Sequence, residues 1–501
     1  MKTKCLIIFI YFVTLICKAQ PDITWQENYG GSGVDFAYSI VHTNDGGFVM
    51  AGYALSDGGN VTDHNGQRDF WIVKSDAQGV LQWEKAYGGN NAETAYSIKQ
   101  TNDNGFIVTG VTASVNGDIT ENFGYDDIWI LKLDASGNLE WQKSYGDGDT
   151  ERAWEILQTS DGGYVLAGYS WLGTSHKEGI VIKIDAAGNI EWQNLYSFDN
   201  NGNNEEFHSI KQTSDGGYIV AGETFVFEEL VNPPQYWVIK LNAMGDIEWN
   251  KRYGGTNIDS AWHVQQTTDN GYIVLGYSYS NDEDVSGNHG LEDIWVIKLD
   301  SNGNIQWGKS LGGSQHDRAY SIIQMVDGNY LVAGYSDSND GDVTTNQGSY
   351  DGWLIKLDTS GNIIWQKSVG GSSFDIFRSV IQTTDGGFAV AGRTDSSDTA
   401  AGTLQGDGDY WLVKFDAESL STQNSNFLEN SISLYPNPTS DIVTIKSNNH
   451  IHKVKLHTLK GQLVIEKTDS NHIECAELAS GVYVMHVYLD NQLIVKRLII
   501  K

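Results

Sequence analysis

Seven carboxylates recur at one place in the chain. Asp35, Glu93, Glu151, Glu205, Asp259, Asp317 and Asp375 each stand 17 residues before a recurring glycine: Gly52, Gly110, Gly168, Gly222, Gly276, Gly334 and Gly392. A ring of acids can hold a cation or a ligand at a rim. It can equally accept backbone N–H groups and fix a chain crossing, and the strict recurrence suits that second role better. Runs such as Asn281-Asp282-Glu283-Asp284 and Asp337-Ser338-Asn339-Asp340-Gly341-Asp342 offer the oxygen ligands calcium prefers, but neither has EF-hand spacing. The expectation is no metal site and no cofactor, with calcium left open. Aromatic and basic residues gather where the repeat is irregular: Trp171, His176, Phe225, Phe227 and Tyr236. Such rings stack on sugar faces or anchor a partner; the plainer reading is that they pack on one another. Fourteen residues before each glycine stand Tyr38, Tyr96, Trp154, His208, Trp262, Tyr320 and Arg378, read as aromatic packing. Ten before it stand His42 and then six glutamines, read as an amide ladder satisfied within each blade. There is no HExxH, GxSxG, P-loop or Cys/His metal spacing. Glycosidase carboxylates need not be near in sequence, so an enzyme stays possible, with binding favoured.

The elements that position these residues follow from the repeat. The glycines step by 58, 58, 54, 54, 58 and 58 residues. Trp25, Trp83, Trp141, Trp192, Trp249, Trp307 and Trp365 keep the same beat, as do Trp71, Trp129, Ile180, Trp237, Trp295, Trp353 and Trp411, with Ile180 the one replacement. Within a unit, alternating apolar residues between glycine-rich turns predict four strands, like Ile23–Tyr29, Ala37–Thr43, Phe48–Tyr53 and Asp69–Lys74. Seven such units predict an all-β chain with a seven-bladed β-propeller. The last unit ends at Tyr410–Phe415, so its missing outer strand must come from Ile23–Tyr29, which closes the ring. A β-solenoid is the alternative, with shorter coils and terminal caps. The long loops between the third and fourth strands share a face with the acids, and the tight turns open on the other. The interval from glycine to Trp is 19 in five units, but 12 in unit three and 15 in unit four. Function on a symmetric scaffold is expected at such breaks, hence on the long-loop face near those units.

Leu133-Asp134-Ala135-Ser136-Gly137-Asn138-Leu139-Glu140-Trp141 resembles the docking repeat of quinoprotein-type propellers, in which an Asp, a turn glycine and a Trp pack between blades. The resemblance implies the fold and not a quinone, because the acidic and arginine constellation of those enzymes has no counterpart in this chain.

The two ends read differently. Residues 1–19 carry Lys2, Lys4 and a short apolar run before Ala19, the pattern of a secretory signal peptide. No run is long and apolar enough for a membrane span. Of three cysteines only Cys475 lies beyond that segment, which leaves no internal disulfide. The repeats occupy 20–417, a polar linker 418–430, and a small β-sandwich 431–501. This last module resembles the type A sorting domain of the Bacteroidetes type IX secretion system through Tyr435-Pro436-Asn437-Pro438, Ser480-Gly481-Val482-Tyr483 and a tail from Lys496 to Lys501. The resemblance implies the secretion machinery as partner and a secreted or outer-surface location. Net charge is −32, the wrong sign for a nucleic-acid binder. The combined expectation is a surface or extracellular binding scaffold for a glycan or cell-envelope protein. A secreted polysaccharide lyase or hydrolase, using acids in the central pocket, is the competing reading.

Overall fold

A computed structural model describes residues 20–173, 176–198, 204–225, 233–398, 403–418, 432–447, 450–458, 463–489 and 492–501. The expected signal peptide and nearly all of the expected linker lie outside these residues. Among the described residues there is no helix. The chain divides into two compact units, Gln20–Ser419 and one containing Leu420–Lys501.

The first unit consists of seven four-stranded antiparallel sheets. Blade 1 runs from the inner strand Phe36–His42 through Phe48–Ala54 and Asp69–Ser75 to the outer strand Leu81–Tyr87. The inner strands of blades 2 to 7 are Glu93–Gln100, Glu151–Gln158, Asn204–Gln212, Asp259–Gln266, Asp317–Gln324 and Asp375–Gln382. Each inner strand contacts the next, and that of blade 7 contacts that of blade 1. The outer strand of blade 7 is Ile23–Tyr29, paired antiparallel with Asp409–Phe415 in the register Tyr29↔Tyr410. The turns between third and outer strands are fixed locally: Asp76 Oδ1 accepts the N–H groups of Gln78 and Val80, both at 2.9 Å, and Gly79 takes a φ of +83°. The ring of Trp25 lies against Gly79, and Tyr29 donates to the Gly79 carbonyl, so the outer strand of one blade is locked to the turn of the next. Glu418, expected in the linker, instead accepts from Trp365 Nε1 at 2.9 Å, because no further turn glycine exists for that Trp to cover.

One steric feature repeats in all seven inner strands. The register slips near the start of each inner strand, between Ala37 and Ser39 in blade 1 and at the matching places elsewhere. The bulge drives a carbonyl oxygen against the partner strand. At Gly52 a Cβ would lie 1.8 Å from the Phe36 oxygen, and at the six equivalent glycines 1.7–2.0 Å from theirs. Only glycine fits, which explains the sevenfold recurrence.

Blade junctions are filled by paired large and small residues. Phe70, Ile128, Tyr236, Ile294 and Tyr410 each face an alanine of the next inner strand: Ala95, Ala153, Ala261, Ala319 and Ala37. At the other two junctions the order reverses. Gly179 faces Phe207 and Gly352 faces Phe377, where a Cβ would come within 2.5 Å of the ring. A buried lysine also recurs on each third strand: Lys74, Lys132, Lys183, Lys240, Lys298, Lys356 and Lys414 pair with the turn acids Asp45, Asp103, Asp161, Asp215, Asp269, Asp327 and Asp385 at 2.7–3.0 Å.

The C-terminal unit is a two-sheet sandwich. Ile432–Tyr435, Ile442–Ser447 and His472–Glu474 form one sheet; Leu463–Thr468, Lys453–Thr458, Gly481–Leu489 and Gln492–Ile500 form the other. Val443, Ile445, Val454, Met485, Val487 and Leu498 lie in its core. Asn437 joins the motif to the tail: its Nδ2 donates to the Arg497 carbonyl at 2.8 Å and its Oδ1 accepts from Ile499 N at 2.9 Å. Tyr483 donates to the Ala479 carbonyl at 2.8 Å.

The size exchange at the junctions predicts a double-mutant result. Gly179→Ile alone overpacks and Phe207→Ala alone leaves a void, each lowering stability by about 2–4 kcal/mol. Together they reproduce the Ile128/Ala153 junction, so a denaturation cycle is expected to show coupling of at least about 1 kcal/mol.

Candidate functional site

The seven recurrent acids lie at the crossings between blades and are all buried, with exposures of 0–3%. Each accepts an N–H from the crossing: Asp35 from Gly31 at 2.6 Å, Glu93 from Gly89 at 2.9 Å, Glu151 from Asp147 at 3.1 Å, Glu205 from Phe198 at 3.4 Å, Asp259 from Gly255 at 2.8 Å, Asp317 from Gly313 at 2.8 Å and Asp375 from Gly371 at 2.7 Å. Burial outweighs these bonds and pushes Asp35 and Asp259 up to about 6 and Glu151 up to about 7. The long-loop acids are engaged in the same way: Asp282 accepts from Thr256 N at 2.9 Å, Asp340 from Ser314 N at 2.7 Å and Asp337 from His316 N at 2.6 Å. Among the described residues, the one group of three ligand-type side chains gathered within reach of a single ion is His450, His452 and Asp469, in the C-terminal unit.

The irregular units place their aromatics unevenly. Trp171 is half-buried, and Lys177 Nζ lies 4.3 Å from the Tyr169 ring and 5.9 Å from the Trp171 ring. His176 is half-buried beside Glu178, at 3.5 Å. Phe225 is half-buried at a strand end, and Phe227 lies outside the described residues. Tyr236 cannot meet a ligand: it is fully buried in a blade junction and donates to the Trp295 carbonyl at 2.7 Å. The glutamines also differ from expectation. Their Oε1 atoms accept N–H groups from the preceding blade's turn, as Gln100 does from Asn44 at 3.0 Å, so the ladder joins blades rather than closing within one.

The bulges aim one side chain per blade at the central axis. Tyr38, Tyr96, Trp154, His208, Trp262, Tyr320 and Arg378 form a collar there: Tyr96 and Trp154 lie 4.2 Å apart, His208 stacks parallel on Trp262 at 4.1 Å, and the Arg378 guanidinium sits 3.5 Å from the Tyr320 ring centre. On the loop side, Glu206 accepts from Trp154 Nε1 and Lys177 Nζ, both at 2.8 Å, and lies 3.2 Å from His208 Nε2. Both His208 nitrogens face acceptors, Glu206 and the Ala261 carbonyl, so the ring holds both protons. Burial would lower its pKa, but Glu206 outweighs that and raises it.

A cavity of about 240 Å³ lies on the turn side of the collar. The next ring of residues lining it is serine in five blades: Ser39, Ser97, Ser209, Ser321 and Ser379. The structural task at this position is to bridge inner strands, as Ser39 Oγ does by accepting from Ile98 N at 3.2 Å. Glu155 and His263 break the ring. They perform the same bridging, from Ile210 N at 3.0 Å and Ile322 N at 2.9 Å, and add titratable groups to the cavity. One step further along the inner strands, Lys99, Lys211 and Gln265 break a set that is otherwise Val41, Leu157, Ile323 and Ile381. Lys211 Nζ donates to Glu155, and Lys99 Nζ lies 3.5 Å from it. Burial would raise the Glu155 carboxyl, yet the two ammonium groups hold it well below its ordinary value. Burial pulls Lys211 down to about 8 and, with Lys211 adjacent, His263 down to about 3. His263 is therefore neutral, as its acceptor role at Nδ1 requires.

Comparison with known proteins adds a destination. Residues 433–501 match the family model described as a secretion system C-terminal sorting domain. The tail indicates type IX secretion, to the outer cell surface or beyond. No curated protein matches the sequence. A fungal alcohol oxidase of the AA5 family, solved with copper, is 11% identical over 96% of this chain and 99% of its own, with a TM-score of 0.42. The α-L-arabinanase of Penicillium chrysogenum, solved with arabinobiose, is 9% identical over 80% and 99%, at 0.41. PorZ, a surface component of the type IX secretion system of Porphyromonas gingivalis, is 11% identical over 98% and 88%, at 0.24. At such scores these likenesses carry no argument about chemistry. No helix among the described residues is long and apolar enough to cross a membrane.

Two predictions follow from these charges. Asp35 and Asp259 at about 6 and Glu151 at about 7, with Asp69, Asp293, Asp351 and Asp409 also raised to about 6 by burial, favour the fold when protonated; the stability they give is whole below about 4 and is lost as pH rises to 6–7, where these carboxyls ionise in the folded chain. The turn acids, held near 2 by hydroxyl, N–H and lysine partners despite burial, contribute stability above about 3.8 that is lost as pH falls towards 2. Melting temperature measured from pH 3 to 8 is thus expected to peak near 4 and to fall from there to about 7. Second, Glu155→Ser alone leaves two lysines facing each other and is expected to destabilise by about 1–3 kcal/mol. Lys99→Val/Glu155→Ser/Lys211→Ile, which copies the other blades, is expected to melt no lower than the native chain.

Proposed function

We propose that this is an exported binding protein of the outer surface or extracellular space, whose ligand places an anionic group of a glycan or envelope polymer in the central cavity. The carrying observation is the broken pattern at the axis. Serine bridges the inner strands in four blades, at Ser39, Ser97, Ser209 and Ser321, so a Lys–Glu–Lys cluster is not needed to hold the ring together. Withdrawing such charges from water is unfavourable, and their presence is accounted for by a ligand. Lys99, Lys211 and Arg378 face a single carboxylate, Glu155, in a chain of net charge −32. The Arg378 guanidinium has no hydrogen-bond partner among the described residues, and it replaces an aromatic ring in the collar. A carboxylate or sulfate ester satisfies it bidentately.

The hydrolase reading is weaker on one observation. Glu155 is the sole carboxylate lining the cavity, and paired-carboxylate hydrolysis needs two. The long-loop residues Trp171, His176 and Phe225 then serve as a second contact area at most. Calorimetric titration with sodium glucuronate and with glucose 6-sulfate is expected to show binding that glucose lacks. Arg378→Met and Lys99→Met are expected to weaken it at least tenfold, with Trp171→Ala unchanged. Turnover of an acidic polysaccharide that disappears in Glu155→Gln would replace binding with catalysis.

A further inference from the structure

Six blades bury a tryptophan completely on the third strand: Trp71, Trp129, Trp237, Trp295, Trp353 and Trp411. In five of them the indole N–H donates to the side chain 13 residues on (for Trp411, to Gln26 of the closing strand). Trp129 reaches Gln142 at 2.8 Å and Trp353 reaches Gln366 at 2.7 Å. A long-loop threonine then holds the same amide, as Thr120 holds Gln142 and Thr344 holds Gln366. Blade 3 keeps the acceptor and lacks the donor. Ile180 stands in the tryptophan position, Gln193 stands 13 residues on, and the interval that should form the covering loop is shorter by seven residues. Gln193 is exposed, its backbone is paired in the sheet, and its side chain has no hydrogen-bond partner among the described residues. A cavity of about 250 Å³ opens at this place, with Ile180, Ile182, Ile128, Tyr145 and Ile190 on one side, Gln193 at its edge, and Ser144, Asp147, Glu151 and Ser170 supplying a polar side. Phe123 and Ile190 stand at it 52% and 49% exposed.

We infer that this cavity is a docking site for a tryptophan side chain presented by a partner polypeptide. The other blades define the occupant: an indole, its N–H on the glutamine, its faces between isoleucines. The polypeptide source is argued from the strand beside it. Ile190–Tyr196 is the edge of its sheet, so its outward backbone groups are open to an added strand, and Ile190 and Gln193 belong to both edge and cavity. The site is separate from the axial cavity and does not depend on the ligand proposed there.

The probe is N-acetyltryptophanamide, titrated into the full exported chain and followed by calorimetry, with N-acetylphenylalaninamide and free indole as comparisons. The expected result is that the tryptophan amide binds, and that the phenylalanine amide binds at least fivefold more weakly because it lacks the N–H. Gln193→Leu is expected to reduce that difference to near unity. Ile180→Trp fills the cavity from within and is expected to abolish binding, with its melting temperature confirming the fold; Ile180→Ala, which enlarges the cavity, serves as a second variant that must still bind indole. No binding of the tryptophan amide by the native chain would overturn the proposal. So would binding that survives in folded Ile180→Trp, or binding of free indole with none of the amide.

Discussion

The architecture depends on one close approach, the carbonyl of each inner-strand bulge against the α-carbon of a glycine. At 1.7–2.0 Å from that oxygen no side chain can begin, so the glycine is obligatory and the bulge is fixed. The bulge in turn rotates the strand so that one residue per blade points to the axis. Seven such residues meet as a collar, and the collar forms the floor of the cavity. Removing the bulge from one blade would move its collar residue off the axis and open the floor.

Around that constraint the ring is held by interactions that repeat with small exchanges: large against small at each junction, lysine against turn acid on each third strand, glutamine against the preceding turn. These are interchangeable between blades, which is why exceptions are informative. Glu155, His263, Lys99 and Lys211 at the axis replace residues that do the structural work elsewhere. Ile180 removes an indole that six other blades retain. The first exceptions concentrate charge within a cavity, and the second opens another, part apolar and part polar, at the edge of blade 3. The sorting tail sends this asymmetric disc outside the cell, where both surfaces can meet partners.

The repeat, the strand order and the closing strand were legible because glycines and tryptophans mark them at fixed intervals. The buried acids were legible too, since a carboxylate kept at all seven crossings has a common local task. The face of the principal cavity was not. Strand alternation places Trp154 and Glu155 on opposite sides of their sheet, whereas the bulge turns both into the axial cavity. Tyr236 misled for a related reason: it sits near an irregular loop in sequence, but its strand position faces a junction alanine. Ile180 was visible as an irregularity, and its meaning needed the indole–glutamine bond of the other blades, which links residues on two strands.

The central claim is that the axis of this acidic protein is a cationic seat built by departure from sevenfold symmetry. A crystal of the full chain soaked in sodium bromide tests it most directly, since bromide is located by its anomalous signal without assuming any ligand. The account predicts a bromide ion in the axial cavity, in contact with Arg378 or the Lys99 and Lys211 ammonium groups. Bromide bound elsewhere on the propeller with the axial cavity empty would contradict it.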